Sequence, residues 1–571
     1  MIGTSTSPAR ARSGSSGFDV VVVGSGIGGL TVASLLAQLA GRRVLVLERH
    51  FKLGGFTHSF ERKGYHWDVG LHYVGRMGKG SLTRALFDLV TAAGVDWAPM
   101  PSPFEVFDYP GLRFDVPANR QEFLAELVRC FPAEVVALRR YFRDLDRINR
   151  WFFRESARKI APAPLSALLA LVGRPLRSRA LGTTKEYLDG RFRDPRLRAL
   201  LASQWGCHGL PPSESALAIH ALIVWHYLEG GYYPVGGSRR IAESIHPIVA
   251  AAGGACRTSH EVTEIVVEGD RAVGVRARAG LGRHTREVEL RAPVVVSDVG
   301  ARKTLVELLP EAIDHPLRRA LAATPPGPTA VVLYVGFDAN PSVLGFRGEN
   351  HWIFDDWDHD ARRAHERALG EGRATMAYLS FPSLKDPEPA RPTAEIIAFV
   401  DYERFGEWRN RPWKRRGPEY EALKERIAQA LLDLVERRHP GFRAHVSFHE
   451  LSTPLSVEAM AGHPRGQIYG LPATPQRLRE AWLGPQTPVR GLFLTGSDIA
   501  AHGIVGALTG GLLTAAKLLG PLGILRILAA ARKGARQTSR SSAISGSHGA
   551  ASGARFRRAR APVGGGPGSA P

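Results

Sequence analysis

The residues with the clearest capacity for chemistry stand near the start of the chain, in Val20-Val-Val-Val-Gly24-Ser-Gly26-Ile-Gly28-Gly29-Leu30. Gly24, Gly26 and Gly29 have G-x-G-x-x-G spacing, directly after an apolar run and directly before a helical one. Gly24 permits a tight turn, Gly26 has no Cβ to obstruct a pyrophosphate, and Gly29 lets the helix pack on the sheet. Free N–H groups at the helix start then face a diphosphate with the positive end of the helix dipole behind them. A second apolar run, Arg43-Val-Leu-Val-Leu47, delivers Glu48 nineteen residues after Gly29. Its carboxylate is placed to accept both ribose hydroxyls of an adenosine and to repel a 2′-phosphate.

That turn alone does not separate FAD from NAD. After Glu48 comes Arg49-His50-Phe51-Lys52-Leu53-Gly54-Gly55-Phe56-Thr57-His58, and then Asp68-Val69-Gly70-Leu71-His72-Tyr73. A second glycine turn so close to the first lets backbone approach the rest of an extended dinucleotide. The far end matches it: Gly491-Leu-Phe-Leu-Thr-Gly496-Ser-Asp498 is a strand ending in Gly and Asp, and His502-Gly503-Ile-Val-Gly506-Ala507 opens a Gly-rich helix. Asp498 can accept a hydrogen bond from a ribityl hydroxyl, and N–H groups near Gly506 and Ala507 can face the flavin pyrimidine oxygens. NAD has no ribityl chain, so FAD is the economical reading. Gly28, Arg49, His58 and Val262 complete the candidate cofactor contacts.

These elements imply an α/β fold with an FAD-binding Rossmann-like domain of the glutathione reductase and amine oxidase type. It is built from discontinuous segments, 18–75, 236–310 and 486–522. Residues 76–235 and 311–485 form an inserted mixed-sheet and helical substrate domain. Residues 80–230 read as largely helical from apolar spacing of three and four. Residues 236–300 return to βα character, with strands at Glu261–Val267, Ala272–Ala277 and Pro293–Ser297. From about 328 the period becomes two, at Thr329–Val335, Ala374–Leu379 and Glu395–Val400. A charged helix follows at Glu419–Arg438, and a last helix spans about 504–519. Residues 1–17 read as a disordered leader and 532–571 as a disordered basic tail.

The segments Phe18–Gly75, His220–Leu309 (with Tyr232-Tyr-Pro-Val-Gly-Gly-Ser-Arg-Arg-Ile-Ala) and Gly466–Leu519 resemble the phytoene desaturase, carotenoid isomerase and retinol saturase family of FAD-dependent oxidoreductases. The retinol saturase branch is nearest. The resemblance implies redox chemistry at C–C or C=C bonds of an apolar isoprenoid or polyene. Many relatives carry Arg after the glycine pair where this chain has Phe56, and members of the retinol saturase branch commonly lack it too. His72, Tyr73 and His502 are the candidates for catalytic positions near the isoalloxazine. The helix Ala216–Tyr227, apolar nearly all round, reads either as core or as the wall of an apolar tunnel.

Two rival readings stay open. One is an amine-oxidase-like flavoenzyme of a small substrate, with a tight polar pocket. The other is a non-catalytic prenyl-lipid carrier of the same fold. No second strand–G-x-G-x-x-G–helix unit is found, so electrons would come from a visiting NAD(P)H or a partner protein, or leave to a quinone or oxygen. No metal-ligand motif or Ser-His-Asp order stands out.

At 571 residues the chain is too long for one compact domain. The net charge of +21 includes eight Lys/Arg and no acid within 532–571, leaving about +13 elsewhere. A basic surface suits anionic lipid, and no aromatic-plus-basic nucleic-acid motif accompanies it. Cys130, Cys207 and Cys256 form neither a disulfide framework nor a CxxC site and suit a reducing compartment. No secretory signal or membrane-spanning run is visible. The expectation is therefore a cytoplasmic protein, peripheral at an anionic membrane through the apolar 504–531 stretch and the tail. Its oligomeric state is not legible.

Overall fold

The computed structural model describes residues 17–536 except Leu281, Pro389 and Ala481. Most of the expected leader, and the expected tail from residue 537 on, lie outside the described residues. Arg532, Lys533 and Arg536, assigned above to a structureless tail, instead belong to a helix over 523–536.

Five short strands form a parallel sheet in the order Ala255–Arg257, Val44–Leu47, Val20–Val23, Val295–Ser297, Leu492–Leu494. Val20–Val23 and Val44–Leu47 are buried at every residue, as strands covered by helices on both faces must be. Helix Ile27–Ala40 covers one face and ends at Gly41, whose left-handed φ of 59° lets its N–H return to Ala37 O. Helix Gly503–Leu518 lies against it, with Gly506, Leu508 and Gly510–Ala516 buried. The expectation that 504–531 rests on a membrane surface therefore fails for 504–518, which is core.

The βα expectation for 236–300 needs one correction. Of the three strands expected there only the one at Val295–Ser297 enters the parallel sheet, which Ala255–Arg257 joins as well. His260–Glu268 and Arg271–Ala279 pair antiparallel across a turn at Gly269 (φ 61°), and Arg286–Arg291 joins them in a separate sheet. Likewise 80–230 is not helical throughout. Glu105–Tyr109 and Leu112–Val116 form a hairpin through Pro110-Gly111, where Gly111 has φ 73°.

That hairpin joins the largest sheet, seven strands in the order Val446–Ser452, Ala330–Phe337, Thr393–Phe399, Met376–Ser380, Asn350–Phe354, Glu105–Tyr109, Leu112–Val116. Only Asn350–Phe354 against Glu105–Tyr109 is parallel. The period of two sorts its side chains cleanly. Val331, Leu333, Val335, Ile353, Ala377, Leu379, Ile396 and Ala398 pack with Leu423, Ile427 and Leu431 of helix Pro418–Arg438. Ala330, Val332, Tyr334, Trp352, Met376, Tyr378, Ile397 and Phe399 point the other way, onto a cavity. Helix Val135–Arg158 supports the far wall with Leu138, Tyr141, Phe142, Leu145, Ile148, Trp151 and Phe152, spaced as one apolar face. The mixed α/β architecture is thus a parallel-sheet layer and a large mixed sheet facing each other across that cavity.

Candidate functional site

The cavity has a volume of about 890 Å3 and runs from the carboxyl ends of the parallel strands to the aromatic face of the seven-stranded sheet. Brought to its wall are Gly24, Gly26, Gly28, Glu48, Arg49, Gly54, Gly55, His58, His72, Tyr73, Val262, Asp498, His502, Gly506 and Ala507. Gly29 and Gly496 lie behind it. A Cβ on Gly29 would stand 2.5 Å from Gly24 O and 3.0 Å from Val22, so Gly29 serves the packing of helix on strand. Gly496 has φ 84° and lies so close to the first helix that a Cβ on Gly28 would fall 2.5 Å from its Cα.

Glu48 is fixed rather than free. Its Oε2 accepts from Ser25 N (3.0 Å) and Ser25 Oγ (2.7 Å), and Oε1 accepts from His50 N (2.8 Å). Ser25 Oγ in turn accepts from Gly54 N at 3.0 Å, so one serine ties the two glycine turns and the acid together. Oε2 is thereby filled, and Oε1 keeps a lone pair for a ribose hydroxyl. Arg49 reaches Glu458 O (3.3 Å) and Glu261 (3.6 Å), and Lys303 donates to Gly462 O at 2.9 Å. Both line the cavity beside Phe56, and they place positive charge on its wall. His58, its Nδ1 2.5 Å from Gly55 O, is pushed down to about 4 by burial and is neutral at pH 7.

At the other end Asp498 gathers three loops. Its Oδ2 accepts from Ala301 N (2.7 Å) and its Oδ1 from Leu471 N (2.9 Å). Asp298, at the end of strand Val295–Ser297, fills the space over the glycine turn, its carboxyl lying where Cβ atoms on Gly26, Gly28 and Gly496 would be. Burial pushes its acid up to about 8, with the charges of Glu48 and Asp498 acting in the same direction. His502 caps helix Gly503–Leu518 with its ring buried. Its Nε2 lies 2.6 Å from Arg477 Nη1 and 2.8 Å from Leu471 O, and burial with the Arg477 charge holds it well below its ordinary value. This is a neutral, clamped ring, which suits positioning better than proton transfer.

The residues fit an FAD on this structure's own terms. Gly24, Gly26 and Gly28 of the turn lie on the cavity wall, as do Ile27 and Ile504 to Ala507 in the first turns of two helices. Thr495 Oγ1 and His502 Nδ1 are buried without a partner among the described residues. Beyond the glycine turns the cavity wall is aromatic, made by Tyr73, Tyr227, Trp352, Tyr378, Phe399 and Tyr469. Helix Leu217–Tyr227 plays both of its anticipated roles. Leu217–Ala221 are core, while Leu222, Ile223, Trp225, His226 and Tyr227 line the cavity.

Two polar groups interrupt this wall. His72 Nδ1 lies 2.6 Å from Glu395, a fully buried carboxylate. Lys385 donates to His72 O (2.8 Å) and Ser380 Oγ (2.5 Å), and burial lowers its ammonium to about 7. Tyr73 Oη donates to Glu105, whose other donors are Gln204 (2.6 Å) and Trp352 (3.1 Å). Ser25, Glu105, Asp298, Lys303, Lys385 and Glu395 were not singled out in the sequence. Only Asp298 carried a usable signal there, an acid directly after an apolar strand of the expected sheet.

Residues 27–519 match the model of the flavin containing amine oxidoreductase family. The chain is 32% identical over 520 residues to all-trans-retinol 13,14-reductase of Danio rerio, covering 87% of this chain and 85% of that one. It is 26% identical to the chloroplastic prolycopene isomerase of Arabidopsis thaliana, over 90% of this chain and 84% of the other. Among solved structures, putrescine oxidase bound to putrescine superposes with a TM-score of 0.57 at 17% identity, covering 88% of this chain and 99% of the oxidase.

Proposed function

The chain belongs to the flavin containing amine oxidoreductase family, and from that premise we propose that it is an FAD-dependent reductase of C=C bonds in an apolar polyene of retinoid or carotenoid type. The observation that carries the reading is the cavity itself. The glycine turns share one cavity with a chamber walled by Tyr73, Tyr227, Trp352, Tyr378, Phe399 and Tyr469, where His72 and Tyr73 are each paired with a buried carboxyl. A small amine would call for the reverse, a tight polar pocket. A non-redox carrier would have no use for the paired acid–base groups on the wall.

When bound, FAD supplies the two-electron exchange with the substrate. Glu48 and the glycine turns hold the adenosine and pyrophosphate, with Arg49 and Lys303 offsetting phosphate charge. Asp498 and the start of helix Gly503–Leu518 hold the ribityl and pyrimidine parts. The aromatic wall orients the polyene and excludes water. His72, its Nδ1 held by Glu395, keeps Nε2 for the cavity. Reduction is preferred over isomerisation because identity is higher to the reductase than to the isomerase. The electrons come from a visiting NAD(P)H or quinol.

The chamber reaches the surface at Leu82 (55% exposed) and Phe153 (44% exposed), both on its wall. Helix Ala163–Ala180 exposes Leu165, Leu168, Leu171 and Val172, with Arg174, Arg177 and Arg179 also exposed. Such a helix suits an anionic lipid surface, from which the substrate would enter. Among the described residues no helix is long and apolar enough to cross a membrane.

The test is anaerobic incubation of flavin-loaded protein with retinol-type and lycopene-type polyenes and a reductant. A product two hydrogens heavier supports the reading. A product of unchanged mass and altered double-bond geometry establishes isomerisation instead.

A further inference from the structure

Glu105 is fully buried in the middle of the protein, on a strand between Leu112–Val116 and Asn350–Phe354. A carboxyl in such a place costs several kcal/mol if ionised and unpaired, so it is normally matched to a cation. Among the described residues no cation touches it. Its three partners, Tyr73, Gln204 and Trp352, are neutral donors, and they come from three separate segments. Of these, Tyr73 and Trp352 line the cavity. The Tyr73 ring stacks on Tyr227 at 4.2 Å, and its Oη lies 3.7 Å from Cys207 Sγ, also on the cavity wall. One hydrogen bond thus joins a buried acid to a phenol on the wall of the chamber.

We propose that Tyr73 is the catalytic acid that delivers a proton to the substrate carbon, and that Glu105 is the reservoir that restores it. This rests on the polyene-reductase reading. Saturating a C=C bond adds one hydrogen with its electron pair, for which a reduced flavin is the chemical source, and the other as a proton. With Glu105 protonated, its O–H donates to Tyr73 Oη and the phenol proton is free to leave as the new C–H bond forms. The phenolate takes the proton of the Glu105 carboxyl, and the carboxylate left behind is reprotonated from solvent before the next turnover.

Burial raises Glu105 to about 7, against the pull of the hydrogen bonds from Tyr73, Trp352 and Gln204, so it holds and releases a proton in the working range. Burial, followed by the nearby Cys207 and Glu105, keeps the Tyr73 phenol protonated at rest. The other ionisable groups around Glu105 are Cys207, Tyr227, Tyr378 and Lys385. The three first named are held neutral by burial, which leaves Lys385 as the cation acting from a distance.

Two measurements decide it. The first is an infrared titration of the oxidised, flavin-loaded protein, which reads the carboxyl without turnover. A protonated-carboxyl band should vanish with a midpoint near pH 7 and be missing from Glu105→Gln. The second is single-turnover oxidation of the reduced flavin by a retinol-type polyene in D2O. One solvent deuterium should enter the product, and Tyr73→Phe should slow the step by about 100-fold or more while polyene binding holds. Glu105→Gln should lose the inflection near pH 7. If wild type turns over and Tyr73→Phe stays within about threefold of it, or if the inflection survives in Glu105→Gln, this inference is wrong and the reductase reading stands. If wild type transfers nothing to any polyene, both fall.

Discussion

Asp298 and Asp498 end neighbouring parallel strands and do different work. Asp498 satisfies two backbone N–H groups of other loops, so its loss leaves buried donors unpaired at about 1–3 kcal/mol each. Asp498→Ala should therefore lower Tm and yield folded protein with less than half the wild-type flavin. An unchanged flavin-to-protein absorbance ratio would remove Asp498 from the cofactor site. Asp298 stays protonated in the folded protein up to about pH 8, whereas an aspartate in the unfolded chain ionises near pH 4. Between those values the folded state binds one more proton, so stability falls as pH rises. In flavin-free protein, Asp298→Asn should raise Tm little at pH 5 and increasingly toward pH 8. The same shift at both pH values would contradict the assignment. The glycines and Glu48 were legible because their roles are set within one strand–turn–helix. Glu105, Glu395 and Lys385 were not, because each takes its meaning from a distant partner: Glu395 meets His72 from 323 residues away.

Helix Gly503–Leu518 sits against helix Ile27–Ala40 only because glycines face each other. A Cβ on Gly511 would lie 2.6 Å from both Gly28 O and Thr31 Cβ. Overpacking there costs about 1–3 kcal/mol, so Gly511→Ala should lower Tm by several degrees and weaken flavin retention. A Tm within a degree of wild type would mean the helices part easily. At this scale the strands and long helices were readable from period and Gly/Pro punctuation. Two misreadings differ in kind. The hairpin at Pro110-Gly111 was absorbed into a helical pattern, because its turn is tight and its strands only partly apolar. The strands on either side of Gly269-Asp270 were read, but their antiparallel pairing in a separate sheet was not. The buried role of 504–518 was missed for another reason: an apolar helix looks alike whether protein or lipid covers it.

In the whole molecule, segments far apart in the chain close around one cavity, and each end of that cavity carries a consequence. At its open end, Leu168→Asp with Leu171→Asp should reduce flotation with anionic vesicles without changing flavin content. Equal flotation would move the lipid contact elsewhere. Motif order gave the expectation of interleaved nucleotide-binding and substrate-facing segments, whereas the aromatic lining was not anticipated. It depends on which face of each strand in the seven-stranded sheet turns inward. The central claim is that one FAD spans the two glycine turns and faces a polyene. It is tested most directly by mixing anaerobically reduced, flavin-loaded protein with a retinol-type polyene and following the flavin spectrum and product mass together. The account predicts return of the oxidised flavin spectrum with a product two hydrogens heavier. Folded protein that takes up no flavin, or reduced flavin that persists beside unaltered polyene, would contradict it.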